Sequence, residues 1–173
     1  MIPLGILAMA MWGCSSVPTS PTITPEPSFV KVPMPPGWAL SASDDSPTEV
    51  SGVIDGALGG TLSHGRFQLV VPPGAFQGVA TLTIRMPDPA EMGCELHITP
   101  EEANRFAVPV QLVADCSGAE GVDFSKLETL WFDEDARAWV LVRGSATDAV
   151  GGQIVTPLEH FSMYGVVEGK AGW

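Results

Sequence analysis

Basic residues are scarce in this 173-residue sequence. Eight Lys and Arg stand against 20 Asp and Glu, so the formal net charge at pH 7 is −12. Proteins that bind nucleic acid along its phosphate backbone need clustered positive charge, so this composition excludes a general nucleic-acid binder. The same shortage disfavours electrostatic attachment to anionic lipid headgroups.

The sequence also lacks the short motifs that mark common catalytic sites. It contains no Gly-x-Ser-x-Gly elbow, no phosphate-binding loop and no His-Glu-x-x-His. His64 and His97 stand alone, and the acidic run Asp133-Glu134-Asp135 lacks the spacing of an EF-hand calcium loop. We therefore predict neither a metal site nor an enzyme of a common motif class.

Residues 1–13, MIPLGILAMAMWG, carry no charge and are almost all apolar. This stretch is shorter than the ~20 residues of a membrane-spanning helix and has the length of a signal-peptide apolar region. Gly13-Cys14-Ser15 follows. A small residue before a cysteine at this point resembles the cleavage box of bacterial lipoproteins, although Met11 stands where that family usually has Leu.

This resemblance implies that residues 1–13 are removed and that Cys14 carries a diacylglycerol, which anchors the chain without a spanning helix. Ser15 after the cysteine implies the outer membrane of a Gram-negative cell envelope, with the domain on its periplasmic or external side. The alternative is a buried N-terminal strand in which Cys14 is an ordinary thiol.

Residues 14–48 hold eight of the 16 prolines, the expected composition of an extended tether. Within this segment some residues are too apolar for a pure spacer. We expect them to pack as a short strand on the edge of the domain, and the alternative is an exposed adhesive segment. These residues are Phe29, Val30, Val32, Met34 and Trp38.

From residue 49 to 168 short apolar alternations are separated by turn residues every 8–12 positions, which predicts a single antiparallel β-sandwich, followed by a short tail over 169–173. No βαβ alternation is present, so the fold class is all-β. The clearest hairpin joins residues 127–133 to 137–143 through the acidic turn. The predicted strands are 50–54, 58–63, 66–71, 79–86, 93–98, 108–115, 127–133, 137–143, 152–156 and 161–167.

Two further cysteines, Cys94 and Cys116, fall in or beside successive predicted strands. Because exported proteins occupy an oxidising compartment, we predict a disulfide between them. The alternative is a pair of buried free thiols.

Four stretches resemble, in order, the ZU-5 domain, the β-sandwich module of ankyrins, zonula occludens protein and netrin receptors. The resemblance covers about residues 50–168 and implies a protein-interaction or structural module without a cofactor. The stretches are Gly59-Gly60-Thr61-Leu62, Phe67 to Phe76 with its Pro72-Pro73-Gly74-Ala75 turn, Phe106 to Leu112, and His160 to Val166 with its His160-Phe161-Ser162 start.

Some ZU-5-like relatives cut their own chain between the Phe and Ser of this last motif. By that resemblance Ser162 would attack the Phe161 carbonyl, with His160 assisting the proton transfer. The simpler hypothesis makes Phe161 a core residue and assigns no catalytic role to its two neighbours, and we favour it.

A third hypothesis, a carbohydrate-binding module, requires exposed coplanar aromatic rings. Trp131, Phe132 and Trp139 could supply them, although a sandwich more often buries such side chains. The sequence thus favours a cell-envelope lipoprotein whose sandwich acts as a structural module or binds another envelope protein.

Overall fold

The computed structural model describes residues 27–33 and 48–169. These residues form short strands joined by tight turns, with two single-turn 3-10 helices at Glu101–Ala103 and Phe124–Lys126. The strands are β1 Thr48–Asp55, β2 Gly60–His64, β3 Phe67–Val71, β4 Val79–Met86, β5 Gly93–Thr99, β6 Val110–Asp115, β7 Leu127–Asp133, β8 Ala138–Leu141, β9 Ala146–Asp148, β10 Gln153–Leu158 and β11 Met163–Glu168.

The strands form two antiparallel sheets, with strand orders β1-β4-β5-β11-β7-β8 and β2-β3-β6-β10-β9. The prediction of an all-β fold is therefore confirmed. Within the described ranges there is no helix long and apolar enough to cross a membrane. The predicted signal peptide, Cys14 and most of the predicted tether lie outside the described residues.

The core lies between the sheets and is built by period-two alternation of apolar side chains. In β4 and β5 every second residue is buried, which directs Leu82, Ile84 and Leu96 inward and the intervening residues to the outer face. Two buried hydroxyls also meet in the core, where Thr129 of β7 and Thr156 of β10 share a hydrogen bond of 2.6 Å. A buried polar pair satisfied in this way avoids most of the cost of desolvation.

The Pro-Pro-Gly-Ala element ends β3, as the sequence suggested. Gly74 has a φ of +84°, a conformation that residues with a side chain rarely adopt. The chain then turns back into the core, where Ala75 is fully buried and Phe76 is 5% exposed.

Residues 27–33, which we call the N-terminal strap, pack onto the sandwich. The Val30 N–H donates to the Val166 carbonyl (2.8 Å), and the Val30 carbonyl accepts from the Met92 N–H (2.9 Å). Arg66 holds the other end through a hydrogen bond to the Pro33 carbonyl. The packing expected for Phe29, Val30 and Val32 is thus confirmed, whereas Met34 and Trp38 lie outside the described residues.

One strand was not predicted. β9 is three residues long and fully exposed, so it carries no alternation of apolar and polar side chains. It is recognisable only from its pairing with β10.

Candidate functional site

The His160-Phe161-Ser162 motif lies in the connection that leads into β11 and lines a cleft of about 1160 Å³. The second half of β5 and the end of β7 form other parts of the wall, because these strands flank β11 in the six-stranded sheet. The motif therefore sits at the end of the sheet where three neighbouring strands converge.

Phe161 is a structural anchor of this cleft. Its ring is 4% exposed and packs edge-to-face on Phe106 with 4.9 Å between ring centroids. The Asn104 side chain binds both peptide groups of Phe161: its Oδ1 accepts from the Phe161 N–H (2.5 Å) and its Nδ2 donates to the Phe161 carbonyl (3.0 Å). The packing of the Phe161 ring in the core and the two hydrogen bonds from Asn104 together fix the position of this peptide.

Ser162 and His160 are each engaged with other groups. The Ser162 hydroxyl donates to the Phe132 carbonyl at 2.9 Å, so its proton points at a backbone oxygen of β7 and not at the His160 ring. The His160 ring packs edge-to-face against Trp131 at 4.7 Å. These contacts position the motif as a wall of the cleft.

The His160 backbone carbonyl is held by Tyr164, whose phenol donates a hydrogen bond to it at 2.7 Å. Burial raises the pKa of Tyr164 well above the usual value for a phenol, with smaller contributions from Cys94 and Glu159. The phenol therefore stays protonated and able to donate throughout the physiological pH range.

The cleft is strongly acidic. Five carboxylates belong to its lining, and among the described residues that line it none is Lys or Arg. One of the five, Glu95, forms an ion pair with Arg85 on the neighbouring strand β4. The others are Glu101, Asp133, Glu134 and Asp135.

These carboxylates are spread along the cleft. Among the residues that the structure describes, no group of three or more His, Cys, Asp or Glu is arranged to hold a metal ion. Asp133 has a local structural role, because its Oδ1 accepts the Ala136 N–H across the hairpin turn between β7 and β8.

The aromatic residues near the cleft do not form a flat platform. Phe132 and Trp139 are directly opposite each other on β7 and β8, but their ring planes are inclined by 61°. Phe29 of the strap packs on Trp139 at 80°. Trp131 alternates to the other face of β7 and packs against the core. The coplanar stacking surface that a carbohydrate-binding module requires is not formed by these rings.

The disulfide predicted between Cys94 and Cys116 is not present, and this prediction is corrected: both residues are buried free thiols. Cys94 lies in β5 of the six-stranded sheet, whereas Cys116 directly follows β6 of the opposite sheet. Although β5 and β6 are consecutive along the chain, they therefore belong to different sheets. Burial is the main factor that raises the pKa of both thiols, that of Cys116 to about 12.

Sequence reasoning missed Asn104 and the Phe132 carbonyl as partners of the motif. Asn104 is 57 residues from Phe161 along the chain, and no local pattern joins the two positions. The alternation of buried and more exposed side chains along β5 could have predicted that Glu95 points outward.

The fold and the site define the chain as an all-β protein of two antiparallel sheets with an acidic cleft at one end. No family model matches the chain, and no curated protein matches it either.

Proposed function

We propose that the protein is a cell-envelope lipoprotein whose ZU-5-like sandwich binds a partner protein through the acidic cleft and performs no catalysis. The lipid on Cys14 would provide its membrane attachment, and the tether after Cys14 would hold the domain away from the membrane surface. The observation that carries the binding role is the cleft itself, which is open, lined by carboxylates and backed by a rigidly held peptide.

The acidic lining also indicates which side chains a partner should present to the cleft. Carboxylates without a basic neighbour in the lining attract Lys or Arg side chains, and such pairs raise the rate of association and the specificity. Met163, which is 37% exposed at the start of β11, adds an apolar contact between the charged groups. A partner with a basic, partly apolar segment fits this surface.

The test is affinity capture from an envelope extract with three baits. The baits are the wild-type protein, a Met163→Arg variant and a Val150→Arg control. Val150 is 98% exposed and lies in the turn before β10, whereas the cleft lies beyond the other end of β10. A partner retained by the wild type and the control, lost from Met163→Arg and released by salt, supports the proposal. Equal capture by all three baits contradicts it.

The membrane attachment has a separate test, which is metabolic labelling with a fatty acid. We expect the label on the wild-type protein and none on a Cys14→Ser variant. A label on neither protein would leave the domain without its proposed anchor.

A second candidate function is self-cleavage between Phe161 and Ser162. One observation favours it: the Asn104 amide already donates to the Phe161 carbonyl oxygen, which would carry negative charge during attack by Ser162. The Ser162 hydroxyl would first have to leave the Phe132 carbonyl. If cleavage occurs, Asn104→Ala should slow the release of residues 162–173 and Ser162→Ala should abolish it.

A further inference from the structure

The six-stranded sheet ends in two edge strands, β1 and β8. At β8 the Val142 N–H donates to the Thr129 carbonyl at 2.8 Å, one position beyond the Leu130–Leu141 pair that ends the β7–β8 ladder. Hydrogen-bonded pairs alternate along an antiparallel ladder, so Val140 bonds to β7. The backbone groups of Trp139 and Leu141 therefore point to the open edge.

The same reasoning applies to β1. The Gly56 N–H donates to the Gly78 carbonyl at 2.8 Å, one position beyond the β1–β4 ladder. The even-numbered residues of β1 consequently bond to β4, and the backbone groups of Glu49, Ser51 and Val53 point to the open edge. Among the described residues no other strand pairs with either edge.

The strand direction and the orientation of the side chains at the two edges both allow β8 of one copy to pair with β1 of another. Each strand of the sheet is antiparallel to its neighbour and there are six of them, so β1 and β8 run in opposite directions. A second copy placed beside the first by translation therefore sets its β1 antiparallel to β8. In both strands the odd-numbered residues lie on the outer face, so the faces of the two sheets also agree.

We propose that the protein self-associates head to tail, with β8 of one copy paired to β1 of the next. In one register Trp139 stands opposite Val53 and Leu141 opposite Ser51. This register also sets Arg137 opposite Asp55 and Arg143 opposite Glu49, one ion pair at each end of the contact. Shifting the strands by two residues in either direction removes both charge pairs.

The exposed surface at the two edges agrees with this pairing. Val53 is 70% exposed on β1 and Leu141 is 44% exposed on β8. Arg137 and Arg143, which flank β8, are exposed as well, and Glu49 is exposed on β1. Association covers apolar side chains, satisfies free backbone groups and pairs unlike charges. It is independent of the partner-binding function, because none of the residues that pair at the two edges lines the cleft.

Every open assembly built by a contact between two different surfaces keeps one free β1 and one free β8, so further copies can add to it. Sedimentation velocity of the full-length protein in non-ionic detergent measures the size of these assemblies. Protein concentrations from about 10 µM to about 1 mM cover the range in which weak contacts become populated. We expect the average mass to rise with concentration beyond that of a dimer. A wild-type protein that remains monomeric at every concentration would overturn the proposal.

A charge exchange tests the register. Arg143→Glu and Glu49→Arg should each weaken self-association at least about tenfold, because each sets like charges opposite one another. Mixing the two variants should restore growth, since every contact between unlike variants again joins opposite charges. Arg105→Glu and Glu120→Arg carry the same charge changes at exposed positions outside both edges and should behave like the wild type.

Two results of the exchange would contradict the pairing. One is growth that persists in both single variants, which would show that another surface associates. The other is a mixture that stays monomeric although each variant keeps the wild-type circular dichroism spectrum.

Discussion

The N-terminal strap is predicted to be an integral part of the sandwich, and its Phe29 ring provides the sharpest test. Gly93 and Gly165 are directly opposite each other on β5 and β11, and the ring lies over both. A Cβ added at Gly165 would overlap the ring, whereas a Cβ at Gly93 would only touch it at 3.4 Å. Gly165→Ala should therefore expel the ring, and Gly93→Ala serves as the matched control.

The magnitudes follow from the burial of the ring. Deleting a buried Phe side chain costs about 3–5 kcal/mol, and Phe29 is half-buried, so Phe29→Ala should lower the free energy of unfolding by about 2 kcal/mol. Gly165→Ala should cost a similar amount by displacing the same ring. In the Phe29→Ala background the clash is gone, and Ala is better than Gly in a strand by about 0.5–1 kcal/mol.

The assay is urea unfolding of the four proteins of this double-mutant cycle, with the control measured beside them. We expect a coupling of about 2–3 kcal/mol between positions 29 and 165, and a cost below about 1 kcal/mol for Gly93→Ala. If Gly165→Ala costs the same with and without the Phe29 ring, the strap does not occupy the position described.

Three further predictions concern single groups. Arg137 has a φ of +50°, which is strained for a residue with a side chain, so Arg137→Gly should raise the free energy of unfolding by about 0.5–1 kcal/mol. Urea unfolding measures this change, and a decrease in the free energy of unfolding would refute the proposed strain. Cys94 and Cys116 should resist alkylation in the native protein and take up two labels in denaturant without a reductant, whereas a disulfide would block both labels. Hydrogen bonds from Ser125 and then from Lys126 lower the pKa of Asp123 to about 2. The ionised carboxylate therefore stabilises the fold above about pH 4, and this stabilisation is lost as the pH falls toward 2. In an NMR titration Ser125→Ala should move this midpoint upward, and an unchanged midpoint would exclude the hydroxyl as its cause.

The fold class followed from the sequence because alternation and turn residues are local signals. β4 is an example: every second residue is buried, and its predicted bounds, 79–86, agree with those of the structure. The cysteine pairing failed because it depends on how close two side chains lie in the folded protein, and the positions of Cys94 and Cys116 along the chain do not fix that distance.

The candidate site was predictable only in its central motif. Phe161 could be assigned to the core from its place in an apolar alternation, and its burial confirms this. Asn104 holds Phe161 through two hydrogen bonds, and the Ser162 hydroxyl donates one to the Phe132 carbonyl; both partners are distant along the chain. Such partners are set by the packing of complete strands, which no short stretch of sequence encodes.

The most direct test of the binding function is photo-crosslinking in intact cells from a reactive side chain placed at Met163, compared with the same side chain at Val150. Both positions are exposed, but only Met163 lines the cleft. We predict one discrete adduct from position 163 that disappears when Glu134 and Asp135, which line the cleft and are exposed, are both replaced by Lys, and no such adduct from position 150. Equal adducts from both positions, or an adduct from 163 that survives the charge reversal, would contradict binding through the cleft.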